Sequence, residues 1–195
     1  SAAVSHGSWH ARLLLSVDEA QAARWKEVLT WDHEGLAVVS PAGHSPGLAL
    51  DTVLFSARLA RGMTLLTQGT AFDVVAQQYL NPSDWGDRPL TLFQAHDHVM
   101  VHHTEAEDPA FEWFYTLGLV KFGLDELELI RPRGLPSLEA IQLLTETADG
   151  VLRSGQNQKI GNFLDLPTLA QTVRFIKHRT AAPTGRMTAF RQISL

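Results

Sequence analysis

Four histidines fall within eight residues, His96-Asp97-His98-Val99-Met100-Val101-His102-His103, the densest grouping of side chains in this sequence able to take up a proton or a metal ion. Imidazole titrates near neutrality and ligates transition metals, and Asp97 is placed to orient a neighbouring ring from an outer position. The segment 98–102 reads as a strand, and extended geometry through 96–103 puts His96, His98 and His102 on one face and His103 on the other. His96 and His102 then lie about 20 Å apart at roughly 3.3 Å per residue. Only His96 and His98 could share an ion, with a third ligand from elsewhere, such as His44 or His178. A catalytic zinc centre takes three protein ligands plus water. The segment is therefore expected to be a solvated strand edge and not a tight metal centre, and no metal or other cofactor is expected.

The remaining reactive groups carry weaker signals. Asp125, Glu126 and Glu128 could form an acid–base pair, but acids alternating with leucines are the pattern of an exposed strand face. Ser40, His44 and Ser45 lie in and beside a proline- and glycine-rich loop without the G-x-S-x-G elbow of a hydrolase. No dinucleotide fingerprint, P-loop, H-E-x-x-H or EF-hand loop occurs. Among the 5 tryptophans, Trp85 beside Gly86 and Trp113 are the candidates for interface anchors. Arg131, Arg133, Arg174, Lys177 and Arg179 could form a local basic patch. With 16 basic against 21 acidic residues and a net charge of −5, a nucleic-acid partner is otherwise not expected.

The stretch that must organise these groups is Trp113-Phe-Tyr-Thr-Leu-Gly-Leu-Val-Lys-Phe-Gly-Leu-Asp-Glu-Leu-Glu-Leu-Ile130. It predicts a strand, a turn bounded by Gly118 and Gly123, and a second strand. In the second strand Leu127 and Leu129 should point inward and Glu126 and Glu128 should face solvent. Residues 116–129 resemble the T-x-G-L-x-x-F-G-x-x-E-L-E signature of an uncharacterised family of bacterial cytoplasmic proteins, a domain of unknown function. The likeness extends over roughly residues 95–180. It implies an α+β fold and brings no activity, cofactor or catalytic residue with it.

Along the chain, Trp9–Leu15 predicts a strand, and the S-x-x-E box Ser16-Val-Asp-Glu19 predicts the start of a helix over 17–29 with Ala22, Trp25, Val28 and Leu29 inward. Leu36–Ser40 reads as a strand and 41–47 as a loop. Leu50, Val53, Leu54 and Ala57 predict a helix over 48–60 ended by Gly62, followed by a strand at Met63–Thr67. Residues 70–80 favour a helix stopped by Asn81-Pro82. Pro82–Pro89, rich in turn formers, divides an N-terminal half, 9–82, from a C-terminal half, 90–195. Leu90–Gln94 reads as another strand. Leu138, Ile141, Leu144, Ala148, Val151 and Leu152 trace a helix over 138–153 closed by Gly155, and 172–178 and 187–193 read as terminal strands around a Pro183–Gly185 turn.

The fold class expected is α+β: a mainly antiparallel sheet with helices packed on it, in two halves of similar size forming one cooperative unit. A chain of 195 residues without cysteine has no disulfide framework or thiolate nucleophile, and its opening residues lack the pattern of a signal peptide. No apolar run approaches the roughly 20 residues of a membrane span. A cytoplasmic protein is expected. The leading functional reading is a non-enzymatic bacterial protein acting through contact with another protein, in an accessory or toxin-neutralising role. The alternatives are a hydrolase using the 96–103 histidines and association with nucleic acid through the basic patch.

Overall fold

The computed structural model describes residues 2–6, 9–16, 36–41 and 50–195. The helix expected over 17–29 and the loop residues His44 and Ser45 lie outside them. Strands β1 (Ala2–His6), β2 (Trp9–Ser16) and β3 (Leu36–Pro41) form an antiparallel sheet in that order, and helix α1 (Leu50–Thr67) packs against β2 and β3.

Helix α1 runs past Gly62, and the strand expected at 63–67 is its last turn and a half. An interior glycine costs only about 1 kcal/mol relative to alanine, and tertiary contacts outweigh it. Arg58 donates to the carbonyls of Leu90 and Thr91, and Thr64 and Thr67 bond back to Ala60 and Met63. The left-handed residue that ends the run is Gln68, at φ 55°.

Residues 70–80 form a hairpin instead of the expected helix, with β4 (Ala71–Asp73) antiparallel to β5 (Gln78–Leu80). Asp73 decides the local structure, because its carboxylate accepts the N–H groups of Val75 and Ala76 and closes the turn. The rings of Phe72 and Tyr79 then stack at 4.3 Å across the pair. Leu90–Gln94 is not a strand; Arg58 takes the carbonyls of its first residues, and Leu90 is buried with Leu54, Leu80 and Trp85 in a small second core.

The main sheet has six strands in the order β6-β7-β8-β11-β10-β9: β6 (Met100–Glu105), β7 (Phe111–Leu117), β8 (Glu126–Pro132), β9 (Phe163–Leu166), β10 (Gln171–Ala181) and β11 (Thr188–Ser194). Every pairing is antiparallel except β8 with β11. A parallel pair needs a long crossover, and helix α2 (Ser137–Ser154) with the β9–β10–β11 meander supplies it. Leu143, Leu144, Ala148, Val151 and Leu152 of α2 share one core with Phe114, Leu127, Leu129, Val173, Phe175 and Ile193 of the sheet. Gly155 ends α2 at φ 63°, its N–H bonded to the carbonyls of Val151 and Leu152, as the sequence predicts. The result is an α+β fold dominated by antiparallel sheet.

Candidate functional site

The central stretch folds as strand, turn, strand, but its glutamates do not face water. Glu126 is 1 % and Glu128 0 % exposed, alongside Leu127 and Leu129. The physical reason is that the second face of the sheet is covered as well: Tyr115 lies opposite Glu128 and Phe190 opposite Glu126, in a cluster with Leu117 and Trp113, so period two no longer separates core from solvent. Each carboxylate is satisfied within the protein. Glu126 Oε1 accepts the N–H groups of Gly118 (2.7 Å) and Val120 (3.1 Å), and Oε2 accepts the Thr116 hydroxyl (2.7 Å), which in turn accepts Leu127 N–H (2.8 Å). Burial pushes the Glu126 carboxyl above its ordinary range, opposed by the Thr116 hydroxyl and the turn N–H groups.

Gly118 belongs to the same device. It sits at φ 134°, and a Cβ there would fall 2.4 Å from the His98 carbonyl oxygen and 2.9 Å from Val99 Cα. Glu128 receives Arg179 through Nε at 2.7 Å and Nη2 at 2.7 Å, with the guanidinium 4.8 Å above the Trp113 ring. This hydrogen bonding is the main cause that raises the Arg179 pKa. Asp125 accepts Arg191 Nε at 2.7 Å. All three acids are thus engaged in holding strands and a turn together.

The four histidines of 96–103 diverge. His96 lies in a 3-10 turn, Ala95–Asp97, and not in a strand, because the chain bends there to bring the His98–Val99 backbone against Gly118. Its side chain is exposed, 3.9 Å from Asp97. His98 is 3 % exposed, stacked on Phe93 at 4.8 Å, and its Nε2 is buried without a hydrogen-bond partner. Burial, with the Lys121 cation second, lowers its pKa to about 4. Lys121 donates to the His98 carbonyl at 2.8 Å and also pairs with Asp73, which ties the turn of the central stretch to the β4–β5 hairpin. His102 Nε2 sits 3.0 Å from the Ala76 carbonyl, and its ring stacks on Tyr115. His96 and His98 are therefore not two ligands on one strand face. Among the described residues no three His, Cys, Asp or Glu side chains converge as metal ligands. His178 stands 3.7 Å from Asp125, and Ser40 lies in β3.

His103 is the member of the run with a chemically organised surrounding. Its Nε2 is 2.8 Å from the buried carboxylate of Glu112, and its ring lies flat on Phe114 at 4.2 Å. On the other side Arg131 places its guanidinium 4.7 Å from the Phe114 centroid and donates to the Leu135 carbonyl, while Gly134 N–H bonds Glu112. Arg133 pairs with the exposed Glu105 at 2.8 Å. His103, Thr104, Glu105, Glu112 and Arg133 line an open depression of about 420 Å³ at the edge of the sheet. Glu112 is missed by sequence reasoning, because its position beside His103 follows from the β6–β7 register, Glu105 opposite Glu112 and His103 opposite Phe114.

The other sequence candidates separate. Trp85 is 3 % exposed in the second core, so it offers no surface to a partner, and Trp113 is half-buried against Tyr115, Phe190 and Arg179. Arg131, Arg133 and Arg179 face Glu112, Glu105 and Glu128, and Arg174 lies over Phe163. Three of the five basic residues are thus paired with acids, while Arg174 and Lys177 are exposed on β10. No helix of the described residues is long and apolar enough to cross a membrane. No family model matches the chain, and neither does any curated protein or any solved structure.

Proposed function

We propose that this chain acts through contact with another protein, made at the corner where β6, the ends of β7 and β8, and the start of α2 meet. The observation that supports the reading is the exposed apolar surface beside the His103 depression: Leu135 is 50 % exposed and Leu138 63 %, with Ile141 on the next turn at 38 %. Contiguous exposed apolar side chains rimmed by polar groups are the usual composition of a docking surface. On the same reading the chain is bacterial and cytoplasmic and does its work without catalysis, in an accessory or toxin-neutralising role. The test is cross-linking of the wild-type chain and a Leu135→Asp, Leu138→Asp variant in cells that produce it. Partner cross-links should be lost in the variant while its thermal unfolding stays within about 3 °C. An unchanged set of cross-links would rule this corner out.

A second reading, a hydrolase, draws on the His103–Glu112 pair. A buried carboxylate that holds one imidazole nitrogen leaves the other able to take a proton from water. His103→Gln and Glu112→Gln should each abolish any ester hydrolysis that the wild-type chain shows. Hydrolysis that survives both substitutions would dismiss it.

A further inference from the structure

The six-stranded sheet has two edges, and they differ in how they are protected. Strand β9 has four residues and runs directly into Pro167 and a 3-10 turn. Short length, proline and bulges are the devices that stop a sheet edge from pairing with another chain. Strand β6 has none of them. It spans six residues, contains no proline or lysine, and keeps an unbroken register with β7 from Met100 to Glu105. Its second half, His103–Glu105, is exposed, and the depression opens beside it.

In an antiparallel edge strand the N–H and C=O groups of alternate residues point away from the neighbouring strand. Along β6 these groups form a row on which an extended segment can add as a seventh strand. Main-chain bonds would supply affinity, and alternate side chains would supply selectivity.

The charge at this edge says which segment fits. Glu105 at the end of β6 and Glu107 and Asp108 in the loop that follows are all exposed, and the whole chain has a net charge of −5. The bond between Glu105 and Arg133 is solvent-exposed at both ends, so exchanging Arg133 for another cation costs little. A second copy of this chain would bring the same net negative charge of −5 to this edge, which disfavours its approach relative to a basic segment.

We propose that β6 receives an extended segment of a partner protein that carries lysine or arginine where it passes Glu105, Glu107 and Asp108. This deepens the protein-contact reading above and rests on it.

The experiment is an amide-shift NMR titration of the full chain with two blocked hexapeptides, one alternating valine with lysine and one alternating valine with glutamate. The lysine peptide should shift the amides of residues 101–106 and bind at least ten-fold more tightly than the glutamate peptide at low salt. Its affinity should fall as salt rises, since exposed charges are screened within about 10 Å at 0.1 M. Glu105→Pro, at an exposed position whose N–H points away from β7 because that of Ala106 bonds Phe111, should remove the shifts, and a Glu107→Lys, Asp108→Lys variant should lose the preference for the lysine peptide while keeping its unfolding temperature. Equal binding of the two peptides would overturn the basic partner and leave strand addition standing. Absence of shifts along 101–106 with either peptide would overturn strand addition itself, while the cross-linking test decides separately whether the corner is an interface. A dimer in light scattering that Glu105→Pro dissociates would assign the edge to a second copy instead.

Discussion

Replacing Glu126 separates two roles that its buried carboxylate combines. Glu126 accepts three hydrogen bonds, from Gly118 N–H, Val120 N–H and the Thr116 hydroxyl, in a site 1 % exposed. Glu126→Ala leaves those donors without a partner and opens a cavity. At about 1–3 kcal/mol for each of the three buried donors left unsatisfied, the loss should be on the order of 3–9 kcal/mol, enough to threaten a domain of ordinary stability. Glu126→Gln keeps one carbonyl oxygen for the two N–H groups, and Thr116 can accept from the new amide instead of donating. That change should cost far less, about 1 kcal/mol.

The two variants also differ in pH response. The folded pKa of Glu126 is raised by burial, so above the unfolded value of about 4.3 the folded state retains a proton that the unfolded state has released. Stability carried by the protonated form is therefore full below that value and falls as pH rises through the folded pKa. Urea unfolding at several pH values between 4.5 and 9 measures this. The wild-type contribution should decline across the range, and Glu126→Gln should remove the decline. If Glu126→Ala costs less than about 1 kcal/mol, or if Glu126→Gln costs as much as alanine, the carboxylate does not hold the turn as described.

Three further outcomes are expected. Gly118→Ala should destabilise the chain by about 2–4 kcal/mol, from positive-φ strain plus displacement of the His98 carbonyl, and thermal unfolding unchanged within 1 °C would contradict the close approach. His98 has a folded pKa of about 4 against 6.5 for the free side chain, so the folded state binds fewer protons and stability should drop as pH falls from 6.5 toward 4. Lys121, Asp73, Arg88 and His96 surround it, and His98→Phe should flatten that acid limb in the same urea series. Elemental analysis of protein purified without a histidine tag should find no stoichiometric zinc, iron or manganese; a metal lost in a His96→Ala, His98→Ala variant would reverse the reading of that segment.

What the sequence determined by itself is what local chemistry sets. The apolar stripe from Leu138 to Leu152 and the glycine after it specify α2 and its end, because helical periodicity and a left-handed C-terminal residue act within a few turns. The alternation and glycines of 113–130 likewise specify strand, turn and strand, and they place Leu127 and Leu129 in the core. Where a distant partner competes with propensity, the tertiary structure decided. Arg58 and the 89–91 backbone carry α1 past Gly62, and Asp73 turns 70–80 into a hairpin. Glu126 and Glu128 are buried because Tyr115 and Phe190 of the neighbouring strands cover the second face of the sheet, and no pattern along one strand reports what lies on that face. The same holds for the candidate site. His103 stands out in the sequence only as one of four histidines, and it meets Glu112 because the β6–β7 register places both on one face of the sheet.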